Sequence, residues 1–223
     1  GLNSPFNNML INSTLNDNEI ALTFAGITDQ NNISKNWFEN NNYSIEFIGT
    51  ANENNISENY FRINSHGIRF HQLGNENNIC NNTIIKTIFY GLYLNTSTAN
   101  STIQWNTFIG NNKDFGTHIY DNGSLNHIIY NYYDDWAAPD DNLDGYVDFP
   151  YMIDGEIGNF DPLPLADPVT IVYEHYLTKV KVLYPNGGES FNDSVLIQWT
   201  EAIDSWDYNV SYTLYYSSNG GST

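Results

Sequence analysis

An asparagine returns along the first part of this chain at Asn12, Asn36, Asn59, Asn82, Asn106 and Asn131, at intervals of 24, 23, 23, 24 and 25 residues. So regular a period marks one structural unit copied end to end. Three residues before each asparagine stand Met9, Ile33, Ile56, Ile79, Ile103 and Ile128, and two after stand Thr14, Phe38, Phe61, Ile84, Phe108 and Tyr133. Four before stand Asn8, Asn32, Asn55, Asn78, Thr102 and His127. Two largely apolar rows and two largely polar rows therefore stay in register.

A helical repeat would carry apolar residues at i, i+3, i+4 and i+7 over ten or more positions, with little Gly or Asn inside. Here the apolar segments are short, β-branched or aromatic, and interrupted by residues suited to positive-φ turns. The pattern predicts a three-sided coil of parallel strands. Stacked at about 4.8 Å, such coils lay like upon like, so the Ile and Phe rows become the core. The asparagines would bond the backbone of their own turn and the amide of the next coil. Asn59 is expected to be such a ladder residue, and so is His127 in its polar row.

The strings N-x-I-x-x-N-x-F, ending at Asn59-Tyr60-Phe61, and G-I-x-F, at Gly67 to Phe70, resemble the right-handed parallel β-helix repeat of the NosD-like, pectate-lyase-like superfamily. The resemblance spans about residues 6 to 133. It implies a right-handed β-helix of about six coils and leaves function open, because the same coil hosts lyases, hydrolases, adhesins and metal-handling proteins.

If the apolar pairs Ile20/Leu22, Ile45/Phe47, Ile68/Phe70, Leu92/Leu94 and Thr117/Ile119 face inward, the residue between each pair faces out. That row is Ala21, Glu46, Arg69, Tyr93 and His118, and a second outward row carries Trp37 and Tyr60 on adjacent coils. Charged and aromatic side chains one coil apart suit an extended polysaccharide, which offers hydroxyls to charges and C–H faces to rings. An exposed Glu46–Arg69 ion pair and a stabilising Trp37–Tyr60 stack is the other reading of the same residues.

The repeat stops after Tyr132, and residues 134–161 carry Asp134, Asp135, Asp140, Asp141, Asp144, Asp148, Asp154, Glu156 and Asp161. No Lys or Arg occurs between Lys113 and Lys179 to offset them. Asp140, Asn142, Asp144, Gly145, Tyr146 and Asp148 fall at positions 1, 3, 5, 6, 7 and 9 of a D-x-[DN]-x-[DN]-G calcium loop. Calcium is accordingly the expected ion, bound by Asp140, Asn142, Asp144, Tyr146 and Asp148. Position 12 is Tyr151 rather than a carboxylate, so Asp154 or Asp134 would have to complete the shell. The segment from Asn131 to Asp154 also resembles the closing segment of NosD-like β-helices of archaeal and bacterial surface proteins, which implies a cap in which Trp136, Pro150 and Tyr151 cover the core end.

Residues 166–178, with Pro168, are expected to be linker, leaving the β-helix and cap to residues 1–165. From Val180 the segments Val180–Tyr184, Val195–Trp199 and Tyr208–Tyr216 alternate between Gly and Asn turns. The string from Pro185 to Thr223 is similar to the start of fibronectin type III and immunoglobulin-like modules, implying a partial antiparallel sandwich over 179–223.

Charge narrows the partners. With 7 Lys+Arg against 26 Asp+Glu and a net charge of −19, nucleic acid and anionic membrane surfaces are poor partners. The lone Cys80 can close no internal disulfide, and there is no apolar run long enough to span a bilayer. No leader and no initial Met are visible, so the chain is expected to be a segment of a longer surface or secreted protein. Sequons begin at Asn12, Asn32, Asn42, Asn55, Asn81, Asn95, Asn100, Asn122, Asn192 and Asn209, which makes a glycoprotein one option in so Asn-rich a chain.

These features favour a non-enzymatic extracellular module, calcium-stabilised, that binds glycan or neighbouring envelope subunits and has oligomerisation open to it. A polysaccharide lyase or glycoside hydrolase is the alternative, although a hydrolase needs two facing carboxylates and a lyase a basic residue near its calcium. Copper handling, which the NosD-like resemblance implies, finds only Cys80, Met9, Met152 and five scattered histidines without a ligand motif.

Overall fold

A computed structural model describes residues 2–3, 7–112, 116–169, 179–185, 194–202 and 211–212. The chain divides into two compact units, Gly1–Ile171 and Val172–Thr223. The first is a parallel β-helix whose coils each contribute a strand to three six-stranded sheets.

The first sheet stacks Met9–Ile11, Asn32–Ser34, Asn55–Ser57, Asn78–Cys80, Thr102–Gln104 and His127–Ile129. The second stacks Thr14–Asn16, Trp37–Glu39, Tyr60–Arg62, Thr83–Ile85, Thr107–Ile109 and Tyr132–Tyr133. The third, with the longest strands, stacks Leu2–Asn3, Ile20–Ala25, Tyr43–Phe47, His66–Phe70, Leu92–Leu94 and Ile119–Asp121. Every pairing within the three is parallel, and register places Ile33, Ile56, Ile79, Ile103 and Ile128 on one another. Phe24, Phe47 and Phe70 form a ring stack with centroids 4.7 and 4.5 Å apart, the coil spacing itself.

Among the described residues three asparagine ladders run along corners of the coil. At the corner foreseen from the period, the backbone N–H groups of Ser13, Asn36, Asn59, Asn82 and Asn106 donate to the side-chain oxygens of Asn36, Asn59, Asn82, Asn106 and Asn131. A second ladder runs from Asn8 through Asn31, Asn54 and Asn77 to Ser101 and Asn126. The third contains Asn18, Asn41 and Asn64, with Thr87 bonded to Asn111 further along. At the first two corners the residue before the ladder position is left-handed: Lys35, Glu58, Asn81, Trp105 and Tyr130, and Gln30, Glu53, Glu76, Asn100 and Leu125, all with φ between +52° and +61°. That conformation costs a non-glycine residue about 1 kcal/mol or more, and the buried amide bonds offset it.

The first coil lies one residue out of the expected register. Leu10, not Met9, pairs with Ile33, and Ser13 occupies the ladder position assigned to Asn12. Met9 is 68 % exposed. A serine in the asparagine row had hidden the slip. His127 is likewise not a ladder residue: it pairs with Thr102 on the outward side of its strand and is exposed, while Asn126 takes the ladder place.

Close coil contact fixes two glycines. A Cβ on Gly67 would lie 2.1 Å from the carbonyl oxygen of Gly91, and one on Gly49 2.1 Å from that of Gly26. At the far end, Asp161 ends the main ladder by accepting from the N–H and side-chain amide of Asn131. Tyr151 stacks on Tyr133 at 3.7 Å, Tyr151–Met152 pairs antiparallel with Phe160–Asp161, and Trp136 meets Tyr151 edge-on. Tyr151 is buried and Trp136 half-buried, whereas Pro150 stands exposed. Leu165 and Ala166 bond Asn131 and Gly145, and Val169 bonds Thr107, so this stretch runs along the solenoid.

In the second unit, Val182–Tyr184 pairs antiparallel with Gln198–Trp199, and the Trp199 ring lies 5.7 Å from that of Tyr212. Most of the third expected strand, Tyr208–Tyr216, and the Pro185–Thr223 string beyond these residues lie outside the described residues. Among the described residues no helix is long and apolar enough to cross a membrane.

Candidate functional site

The longest strands give the third sheet the broadest outward face. Register aligns Thr23, Glu46, Arg69, Tyr93 and Tyr120 along it. Glu46, Arg69 and Tyr93 therefore stand one coil apart on one row, as the alternation predicts, but Glu46 is buried beneath Arg69 and His71 rather than exposed. Ala21 and His118 do not belong to it. In the first coil the inward pair is Leu22/Phe24; in the fifth it is Ile119/Asp121. Asp121 points inward where its neighbours carry Leu94, Phe70 and Phe47, and accepts hydrogen bonds from Gly123, Asn126 and Asn159. An aspartate in a core row breaks the apolar signal, so the sequence pattern placed His118 outside when it is only 1 % exposed.

Arg69 is the hub of the face. Its guanidinium lies 5.2 Å from the Tyr43 ring centre and 5.4 Å from that of Tyr93, and 3.9 Å from the Glu46 carboxylate. Glu46 is also 3.0 Å from Nε2 of His71. Tyr93 stacks on Tyr120 at 5.0 Å, and Tyr90 flanks both. Beside this row runs a column of Tyr43, His66 and Phe89, with centroids 4.7 and 4.5 Å apart. Burial, then the electrostatic influence of neighbouring Arg69 and His71, push His66 down to about 4, so its ring is a neutral member of the stack. Tyr43, His66, Tyr90 and Tyr120 were not singled out from sequence; Tyr120 could have been, from its place between Ile119 and Asp121, 27 residues after Tyr93.

Because the rings lie face to face along the solenoid axis, a ligand meets their edges and phenol oxygens rather than their flat faces. The face can donate and accept hydrogen bonds along the axis, with Arg69 as its cation.

The second outward row is different. Trp37 and Tyr60 are neighbours, 4.4 Å apart, and both point away from the core, but Tyr60 is only 2 % exposed. A buried ring offers no platform. Trp37 Nε1 donates to Glu39, whose carboxylate pairs with Arg62.

In the acidic loop, Asp140 accepts from the N–H groups of Asp144 and Gly145, Asn142 from Asp144, and Asp144 from Tyr146. Gly145 has φ +90° and Asp148 accepts from Asp141. The side chains at positions 1, 3 and 5 thus curl around the loop's own amides. Asp140, Asp144 and Asp148 do not gather one oxygen each within 4.8 Å of one another; among the described residues only His118, Asp134 and Asp135 bring three such ligand atoms that close. The two carboxylates considered for completing the loop are engaged elsewhere: Asp154 accepts from Thr117 and Tyr90, Asp134 from Gly110.

His118 Nε2 lies 3.1 Å from Asp134 Oδ1 and 3.0 Å from Asp135 Oδ1. Burial lowers the pKa of the imidazole, but the two carboxylates outweigh it and leave His118 raised. Asp134, raised by burial, is brought below its ordinary value by His118 and the Gly110 N–H. Cys80 is half-buried, receives a contact from Asn78, and has its thiol pushed up by burial.

No family model, no curated protein and no solved structure matches this chain.

Proposed function

We propose that the chain is a non-enzymatic structural module of a cell-surface or secreted protein, a stiff β-helix that contacts a glycan along the outward face of its third sheet. The observation that carries this is the Arg69 cluster: a cation held between Tyr43 and Tyr93 and continued by Tyr120, one residue per coil. Coils about 4.8 Å apart approximate the rise of a sugar unit in an extended chain. Calcium bound by Asp140, Asn142, Asp144, Tyr146 and Asp148 would tighten the cap, drawing the carboxylates inward. The right-handed NosD-like identity of the coil and the fibronectin type III-like identity of the second unit belong to the same proposal, supported by the repeat strings and by the antiparallel Val182–Tyr184/Gln198–Trp199 pair.

Electrophoresis through gels containing neutral or uronate polysaccharides tests it. Retention by at least one polymer, weakened severalfold in Arg69→Ala and Tyr120→Ala, is expected, with no new unsaturated or reducing ends. Retention by none would remove the glycan, and steady production of new ends would make the chain a lyase or hydrolase.

A further inference from the structure

We infer that His118, Asp134 and Asp135 form a binding site for a zinc-class divalent ion, separate from the 140–148 loop. His118 follows the 111–116 connection, while Asp134 and Asp135 leave the last strand of the second sheet, so the fold brings together groups 16 and 17 residues apart.

The geometry is that of ligands around a shared ion. Ligand atoms about 2.0–2.2 Å from one cation, separated by roughly 90–110°, stand about 2.9–3.5 Å from each other. The two carboxylate oxygens stand 3.1 and 3.0 Å from Nε2. Nε2 is a fully buried polar atom, and the two carboxylates that raise its pKa lie close to it without an aligned hydrogen bond. The three ligand atoms all lie within 4.8 Å of one another, near enough to share one ion once Nε2 gives up its proton.

The surroundings supply what a metal site needs. The imidazole is fixed among Phe108, Tyr133 and Tyr151, with centroids 6.0 to 6.3 Å away. Gly110 N–H holds Asp134 Oδ1 and the Tyr151 hydroxyl holds Asp135 Oδ2, orienting both carboxylates. The aspartate side chains are 35 % and 47 % exposed, which leaves the outer coordination positions to water. Asn111 Nδ2 lies 3.3 Å from Nδ1. With the ion on Nε2 the ring proton sits on Nδ1, so this long contact closes no hydrogen bond in the loaded protein. One imidazole nitrogen with two carboxylates suits zinc and its divalent neighbours, whereas calcium takes oxygen alone.

The full chain should bind one equivalent of Co2+, reported by visible absorption bands of the bound ion, and Zn2+ should displace it while millimolar Ca2+ does not. Asp134→Asn and Asp135→Asn, at half-exposed positions, should each weaken binding at least about tenfold while leaving the urea midpoint near that of the parent. Asp144→Ala should bind as the parent does. Absence of the bands and of Zn2+ binding by calorimetry, or parent-like affinity in both aspartate variants, would overturn the site.

Discussion

Replacing Asn59 by alanine isolates what one rung of a ladder contributes. Asn59 is fully buried. Its Oδ1 accepts from the backbone N–H and the side-chain amide of Asn36, each at 3.0 Å, and its Nδ2 donates to Ile33 O at 2.8 Å and Asn82 Oδ1 at 3.0 Å. Alanine leaves two Asn36 donor hydrogens buried and unpaired. At about 1–3 kcal/mol each, the sum is about 2–6 kcal/mol, and because single substitutions seldom cost more than about 4–5 kcal/mol after relaxation, about 2–4 kcal/mol is expected. Asn55→Ala is the matched control: Asn55 pairs with Asn32 and Asn78 on the outward side of the first sheet, where water can replace it, so the cost should stay below about 1 kcal/mol. Asn52, though it lies between strands, is a poorer control because its Oδ1 accepts from Asn75. In urea, with a slope of about 2–3 kcal/mol/M, N59A should lower the midpoint by about 1 M and N55A by much less. Equal midpoints would refute the ladder as the element that satisfies the buried backbone.

Chelation should lower the melting temperature, since a ligand that binds only the folded state stabilises it by RT ln(1 + [L]/Kd). Asp144→Ala should abolish that response and Asp17→Ala keep it; identical melting with calcium and with chelator would remove calcium from the cap. Gly67→Ala should cost more than about 3 kcal/mol or prevent folding, because its Cβ would lie 2.1 Å from backbone oxygen Gly91 O; a near-parent urea midpoint would contradict the coil spacing. His66 sits at about 4 in the fold against 6.5 unfolded. The unfolded chain therefore takes up the proton first, and stability from this group is full above 6.5 and falls as pH drops towards 4. Urea midpoints between pH 7 and pH 4.5 should consequently fall less in His66→Gln than in the parent, and parallel falls would reject the neutral stack.

Much of the solenoid was legible because its energetics are nearly local to one coil and its neighbour. Ile33, Ile56, Ile79, Ile103 and Ile128 repeat because each must stack on its copy, and Glu46, Arg69 and Tyr93 share a face because their inward neighbours are apolar. The same logic failed where a core or ladder position carried the other kind of residue. Ser13 in the asparagine row shifted the first coil, and Asp121 in the Phe70–Leu94 row sent the outward position to His118 instead of Tyr120. The second ladder is masked because Asn31, Asn54 and Asn77 each precede another asparagine, Asn32, Asn55 and Asn78, that repeats with the same period, and Thr87 interrupts the third.

The sequence alone determined the stacked β-coil, because a repeat of matching side chains has one economical way to bury its apolar rows: on top of one another. Only the tertiary structure decided which chemical groups meet. Tyr60 became buried despite pointing outward, and His118 came to face Asp134 and Asp135 across a step between coils. The second meeting depends on where the chain enters the Ile119–Asp121 strand and on where the cap turns back. Neither is encoded in the period, because a connection between coils can lengthen without changing the stacking on either side of it.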